Sequence, residues 1–267
     1  MTGTMSDIQT DRVRVGDGAD ARDIAVLTRA GEAPGVLWLG GFASDMRGTK
    51  AEAIDAWAAR TGRAFTRFDY SGHGASGGSF AEGTISRWLE EAGAVLGRTE
   101  GPQVIVGSSM GGWLALLLAA AHRAEAEKRG AASRIAGLVL IAPAVDMTRV
   151  LMFDTMTRRE RKQLADEGAL RTPSDYAAEG YLITRALIED GEKHLFGDRL
   201  IETGCPVHIL QGIEDTDVPW RHATALVSRL ASDDVVLTLI KDGDHRLSRP
   251  EDLDRLIAAI EGVTAME

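Results

Sequence analysis

Residues 103–113 read Gln-Val-Ile-Val-Gly107-Ser108-Ser109-Met110-Gly111-Gly112-Trp113, and an apolar run continues to Ala121. A short β-branched stretch, a turn of small residues and a long apolar stretch spell strand, sharp turn and helix. The turn carries G-x-S-x-G, in which the backbone bends tightly enough to lift a serine above the end of its strand. Only small residues fit two positions before and after it, and Gly107 and Gly111 supply that clearance. Ser109 then stands at a helix N-terminus, where unpaired N–H groups and the macrodipole favour an alkoxide and its oxyanion. The pentapeptide alone would also suit a glycine-rich turn without chemistry; the strand before it and the helix after it argue for a nucleophile. Ser108 shares the turn, but only Ser109 has glycine at both second positions, so Ser108 is expected to pack beside it.

Outward from this turn, short apolar runs alternate with amphipathic stretches, the pattern of a mostly parallel central sheet flanked by helices, an α/β fold. A hairpin-like start to residue 28 is followed by expected strands at 35–39, 64–69, 103–107, 138–141, 207–210 and 235–240. Expected helices lie at 50–60, 85–96, 111–128, 221–230 and 250–261, the last opening on Pro250, where a missing N–H costs nothing. From 146 to 204 no strand-like run is legible, only charged helical segments such as 157–167 and 175–189. The whole chain, 1–267, therefore reads as a single domain with a helical cap inserted at about 147–203. Ligands bind outside the carboxyl ends of parallel strands, so such an insertion would lie over the site; a peripheral excursion with no contact to substrate is the plainer alternative.

A serine hydroxyl needs an imidazole to take its proton. Of six histidines, His208 falls inside a strand, His122 late in a helix, His194 in the expected cap and His222 at a helix start, all read as structural or surface residues. His73 and His245 each follow a strand. The chain order nucleophile, acid, histidine selects His245 and leaves His73 as a loop-shaping residue. The acid that orients the imidazole is read as Asp215, after the strand at 207–210, with Glu214 and Asp217 as turn residues. Asp146 is the alternative acid. An oxyanion hole needs two backbone N–H donors. Met110 supplies one, and the Gly40-Gly41-Phe42 turn supplies the other from Phe42, its glycines permitting close approach.

Composition narrows the rest. At 267 residues with 44% hydrophobic content the chain can bury one large core. A formal net charge of −10 lacks the basic surface that nucleic acid requires, so no nucleic-acid partner is expected. The apolar run 113–121 is about half the roughly 20 residues of a membrane span, so none is expected. The polar segment 1–18 has no apolar signal stretch, which suggests a cytoplasmic location. The single cysteine, Cys205, forms neither an intramolecular disulfide nor a zinc site and reads as a small buried residue.

The motifs together resemble the mitochondrial palmitoyl-protein thioesterases that also act as mycophenolic acid acyl-glucuronide esterases, within the α/β-hydrolase superfamily. The similarity is carried by Met46-Arg47-Gly48-Thr49-Lys50-Ala51, Arg67-Phe68-Asp69-Tyr70-Ser71-Gly72, residues 107–113, Pro173-Ser174-Asp175-Tyr176, residues 215–220 and Asp244-His245-Arg246. It spans roughly 35–255, with the match at 173–176 the most discriminating. The resemblance implies an α/β-hydrolase fold, Ser109, Asp215 and His245 as nucleophile, acid and base, no metal or organic cofactor, and a small-molecule acyl ester, thioester or acyl glucuronide as substrate. A protein substrate stays open, as does the oligomeric state. Two features depart from the pattern: Gly40-Gly41 stands where many hydrolases have His-Gly, and no transit peptide is legible, so mitochondrial targeting is not carried over. The competing reading is a non-catalytic small-molecule binding protein on the same fold, against which the three triad residues in order weigh. Dehalogenase and epoxide-hydrolase chemistry resembles families with aspartate at the turn, and Ser109 counts against it.

Overall fold

The computed structural model describes residues 8–173, 180–231 and 234–265. Its strands and helices follow in the order β1 (Ile8–Val15), β2 (Arg22–Arg29), β3 (Glu32–Leu39), α1 (Thr49–Thr61), β4 (Arg63–Phe68), α2 (Ile85–Leu96), β5 (Gln103–Ser108), α3 (Met110–Lys128) and β6 (Ile135–Ile141). Then come α4 (Arg158–Glu167), β7 (Ala169–Thr172), β8 (Tyr181–Thr184), α5 (Arg185–Gly191), β9 (Val207–Gly212), α6 (Trp220–Val227), β10 (Val235–Ile240) and α7 (Pro250–Thr264).

Eight strands form one sheet in the order β1-β2-β4-β3-β5-β6-β9-β10. The pairs β1–β2 and β2–β4 are antiparallel, and every pair from β4 to β10 is parallel. Strands covered on both faces read as continuous apolar runs, and β5 is buried at all six of its residues. One face packs against α2 and α3 around Trp88, Trp113 and Leu114; the other packs against α1 and α7 around Trp38, Trp57 and Ile260. After β3 the chain turns one way to β4, whereas β5 lies on the other side of β3. That reversal is the switch point at which loops diverge and a crevice opens beyond the strand ends. The loops after β3 and β5 both leave from it. No helix among the described residues is long and apolar enough to cross a membrane.

The excursion between β6 and β9 corrects one expectation. It holds α4, as anticipated, with Thr157 and Glu160 forming a capping box at its start. The segment expected to be helical over 175–189 is different: β7 and β8 pair as an antiparallel hairpin, and helix begins only at Arg185. Two four-residue strands separated by a long connection are too short to display a period of two. Residues 175–179 of that expected helix, and with residue 174 most of the 173–176 motif, lie outside the described residues. Met156, Leu164, Leu170, Ile183 and Ile188 give the excursion a small core of its own.

Candidate active site

Ser109 sits between β5 and α3 with φ +54° and ψ −117°, a conformation that a non-glycine residue holds only when its surroundings impose it. They do so from both sides. Its N–H donates to the Ile141 carbonyl (2.8 Å), and its carbonyl accepts from Gly112 (2.9 Å) and Ala144 (3.1 Å). A Cβ on Gly111 would lie 2.1 Å from the Leu39 carbonyl oxygen, so this turn presses on the end of β3 and only glycine fits. Met110 opens α3 directly after the serine and is fully buried. Its N–H is among the first of the helix, the ones that lack an intrahelical acceptor. Ser108 closes β5, paired beside Ile141.

The loops after β9 and β10 bring two further side chains to the serine. His245 Nε2 lies 3.1 Å from Ser109 Oγ, and His245 Nδ1 lies 2.8 Å from Asp215 Oδ2. A carboxylate only accepts, so Nδ1 carries the proton and Nε2 offers its lone pair to the serine hydroxyl. Asp215 is 5% exposed, and both of its oxygens are engaged. Oδ1 accepts from the Asp217 N–H (2.9 Å) and the Val218 N–H (2.8 Å), while Oδ2 also accepts from Gln211 Nε2 (3.1 Å). The two loops touch closely, since a Cβ on Gly212 would fall 2.3 Å from the Gly243 carbonyl oxygen.

Gln211 was not singled out in the sequence. Fully buried at the end of β9, its amide nitrogen reaches Gly212 O (3.1 Å) and Val218 O (2.9 Å) besides Asp215. Three acceptors around one atom identify it as the NH₂. A glutamine directly after the apolar pair Ile209-Leu210 of a buried strand was the available signal. The alternative acid, Asp146, points elsewhere: its oxygens accept from the Phe196 N–H (2.8 Å) and the Gly197 N–H (2.9 Å), with Arg229 at 3.7 Å.

The remaining histidines are engaged away from the serine. His122 contacts Ser133, His208 contacts Thr238, and His194 contacts Ser86. His222 is half-buried, and desolvation and then the Arg229 charge lower its pKa. His73 holds the loop after β3, accepting the Ala43 N–H on Nε2 (3.1 Å). That loop is pinned further along, where Met46 N–H donates to Asp69 Oδ1 (2.7 Å) and Arg67 donates to the Met46 carbonyl (3.0 Å). Its Phe42 ring meets Phe80, Trp88 and Tyr181 edge to face at 5.0, 5.9 and 5.5 Å. Lys50, at the start of α1, donates to the Arg246 carbonyl next to His245. Burial and then the Arg246 charge bring its pKa down to about 8, against Asp244 and Asp252.

Ser109 and His245 open into a cavity of about 820 Å³. Phe42 and Gly41 line it on the β3 side; Met147, Leu151, Met152, Met156, Tyr181 and Ile183 line it from the excursion. Lys50, Arg246 and Ser248 make a polar stretch of the same wall.

A strained serine at the head of a helix, bonded through a histidine to a buried aspartate beyond the ends of parallel strands, defines a class of α/β hydrolytic sites. Over residues 33–259 the chain matches the model of the alpha/beta hydrolase family; it belongs to that family and is a hydrolase. It is 37% identical over 241 residues to the mouse palmitoyl-protein thioesterase ABHD10, mitochondrial, an alignment covering 90% of this chain and 78% of that protein. Among solved structures, one from Agrobacterium vitis S4 superposes with a TM-score of 0.92 at 51% identity, covering 97% of this chain and 99% of the other. The alpha/beta hydrolase domain-containing protein 10 from mouse superposes with a TM-score of 0.83 at 33% identity, covering 96% and 98%.

Proposed function

We propose that this hydrolase cleaves carboxylic esters or thioesters of extended acyl chains through an acyl-enzyme on Ser109, with His245 as base and Asp215 as the acid that orients it. The observation that carries the reading is the hydrogen-bonded chain Ser109 Oγ to His245 Nε2 (3.1 Å) and His245 Nδ1 to Asp215 (2.8 Å). As Ser109 Oγ bonds to the substrate carbonyl carbon, its proton passes to His245 Nε2 and the carbonyl oxygen becomes an oxyanion. The Phe42 and Met110 N–H groups receive that charge, each such donor typically contributing about 10²- to 10³-fold in rate. Collapse breaks the bond to the leaving alkoxide or thiolate, which takes the proton from His245. Water, deprotonated by the same imidazole, then attacks the acyl-enzyme, and the acid leaves as Ser109 regains its proton.

The excursion between β6 and β9 is, in this reading, a cap within one catalytic domain. Its Met147, Leu151, Met152, Met156 and Ile183 give the acyl chain an apolar wall, and the polar stretch at Lys50 and Arg246 faces a thiol or sugar leaving group. The names of the relatives, palmitoyl-protein thioesterases, support long acyl thioesters, and the sequence resemblance adds acyl glucuronides. Leu151 and Met152 both reach the cavity, whereas Phe153 lies beneath Arg149 and Arg161 and serves the cap itself. The test is kcat/KM for p-nitrophenyl esters from two to sixteen carbons, beside palmitoyl-CoA and an acyl glucuronide. The expected profile rises with chain length to a cut-off; a steady fall beyond four carbons contradicts the acyl pocket.

A further inference from the structure

The turn after β4 carries an imidazole that the proposed reaction does not use. His73 is 4% exposed and is boxed by aromatic rings, with Tyr70, Phe80 and Trp88 at 5.8, 5.0 and 5.3 Å. Its two nitrogens have partners of opposite kind. Nδ1 lies 3.1 Å from the Ser71 carbonyl oxygen, which only accepts, so Nδ1 carries the proton. Nε2 is left with a lone pair and accepts the Ala43 N–H at 3.1 Å. Both contacts demand the same neutral tautomer, and burial, by lowering the pKa of the ring, favours the neutral form.

Ala43 follows Phe42 and has φ +55°, a left-handed backbone that an alanine does not adopt unaided. The hydrogen bond to His73 holds that peptide unit turned towards the aromatic box. The loop backbone meanwhile approaches the nucleophile on its other side: a Cβ on Gly41 would lie 3.5 Å from Ser109 Cβ. Phe42 N–H belongs to the peptide between these two constraints. The Phe42 ring packs on Phe80 and Trp88, the same side chains that box His73, so ring and backbone of this loop share one support.

We propose that His73 is a positioning residue for the oxyanion loop: as a neutral acceptor for the Ala43 N–H it fixes the direction in which the adjoining Phe42 N–H is presented at Ser109. This inference rests on the esterase reading above. It separates two roles of one side chain, the acceptor atom at Nε2 and the ring that fills the aromatic box, and the two are separable by substitution. Glutamine carries an acceptor oxygen at the reach of Nε2. Asparagine is one methylene shorter and falls short of Ala43, and phenylalanine keeps the ring without an acceptor.

The test compares His73→Gln, His73→Asn and His73→Phe with the native chain for kcat and KM on p-nitrophenyl butyrate, for affinity towards a butyl trifluoromethyl ketone, and for Tm. The ketone adds to Ser109 as a hemiketal oxyanion and so reports the hole itself. The Asn and Phe variants are expected to lose about 10- to 100-fold in kcat, the scale of a misplaced oxyanion donor, with KM changed by less than about threefold. Their ketone affinity falls by the same factor as kcat/KM, and the Gln variant recovers kcat to within about threefold of native. If the Phe variant does not fold, the Gln and Asn pair decides alone. A Gln variant as slow as Asn, or Asn and Phe variants at the native kcat, overturns the assignment. Native and Ser109→Ala rates that coincide would overturn the esterase reading itself, and this inference with it.

Discussion

The loops bearing Ser109, Asp215 and His245 and the excursion between β6 and β9 face each other across one cavity, but different forces hold them. The three loops hang from β5, β9 and β10. Ser109 is bonded through its backbone to Ile141, Gly112 and Ala144, and Asp215 is bonded to its own turn and to Gln211. Their geometry cannot change without disturbing the sheet. The excursion has a five-residue core of its own, joins the main core through Met147, Leu187, Phe196 and Ile201, and is tied besides by a handful of polar contacts. Asp190 accepts from Ser86 N–H (2.7 Å) and Ser86 Oγ (2.8 Å), Asp146 accepts from Phe196 and Gly197, and Tyr181 rests on Phe42. The part that rests on its own core and these ties can be remodelled while the sheet stays folded. Chemistry placed on the first region and substrate choice on the second would let one change without the other.

That division can be broken by substitution. The largest effect is expected from Ser109→Ala, which removes one hydroxyl from the sheet-borne region: turnover should fall by about 10⁶-fold with Tm unchanged. Residual turnover within tenfold of native, an outcome far outside that estimate, would move the chemistry elsewhere. Asp215→Asn should lower kcat by about 10⁴-fold, because the amide can hold the wrong imidazole tautomer. Asp146→Asn is the contrasting case. There the amide meets one of two N–H donors with its own N–H, so urea unfolding should register a loss of about 1–3 kcal/mol while kcat changes little. Equal kinetic losses from the two aspartates would erase the distinction between the regions.

Smaller effects sharpen it. Met152 lines the cavity and packs on the excursion core, so Met152→Trp should shorten the longest acyl chain accepted and leave acetyl ester turnover intact. Each methylene kept out of the pocket should cost ~0.8 kcal/mol, about fourfold in kcat/KM, read from a chain-length series. Ser86→Ala removes the hydroxyl shared by Asp190 and His194 but keeps the backbone bond. It should loosen the excursion by about 1 kcal/mol, visible as faster amide exchange in α5 with short-ester kcat unchanged.

The two regions also differed in how far the sequence exposed them. β5, its elbow and α3 were legible because buried parallel strands are continuous apolar runs and because the serine turn tolerates only glycine at Gly111. Asp215 and His245 were read from their places after strands and from the chain order nucleophile, acid, histidine, and the folded chain links them to Ser109 by hydrogen bonds. The β7–β8 hairpin did not, since Ala-Leu-Arg-Thr and Tyr-Leu-Ile-Thr are too short to display an alternating period amid charged neighbours. Gln211 and the partner of His73 were hidden for another reason. Their meaning lies in contacts that only the folded chain creates, to Asp215 across a turn in one case and to Ala43 across the sheet edge in the other.

The most direct test of the account is capture of the acyl-enzyme. Mixing the protein with p-nitrophenyl decanoate, quenching in acid within milliseconds and mapping the adduct by mass spectrometry should place a decanoyl group on Ser109, with its yield matching a burst of p-nitrophenol. The adduct should persist in Ser108→Ala and vanish in Ser109→Ala. A decanoyl group on Ser108, or a p-nitrophenol burst with no acylated serine in the peptide spanning 107–113, would contradict it.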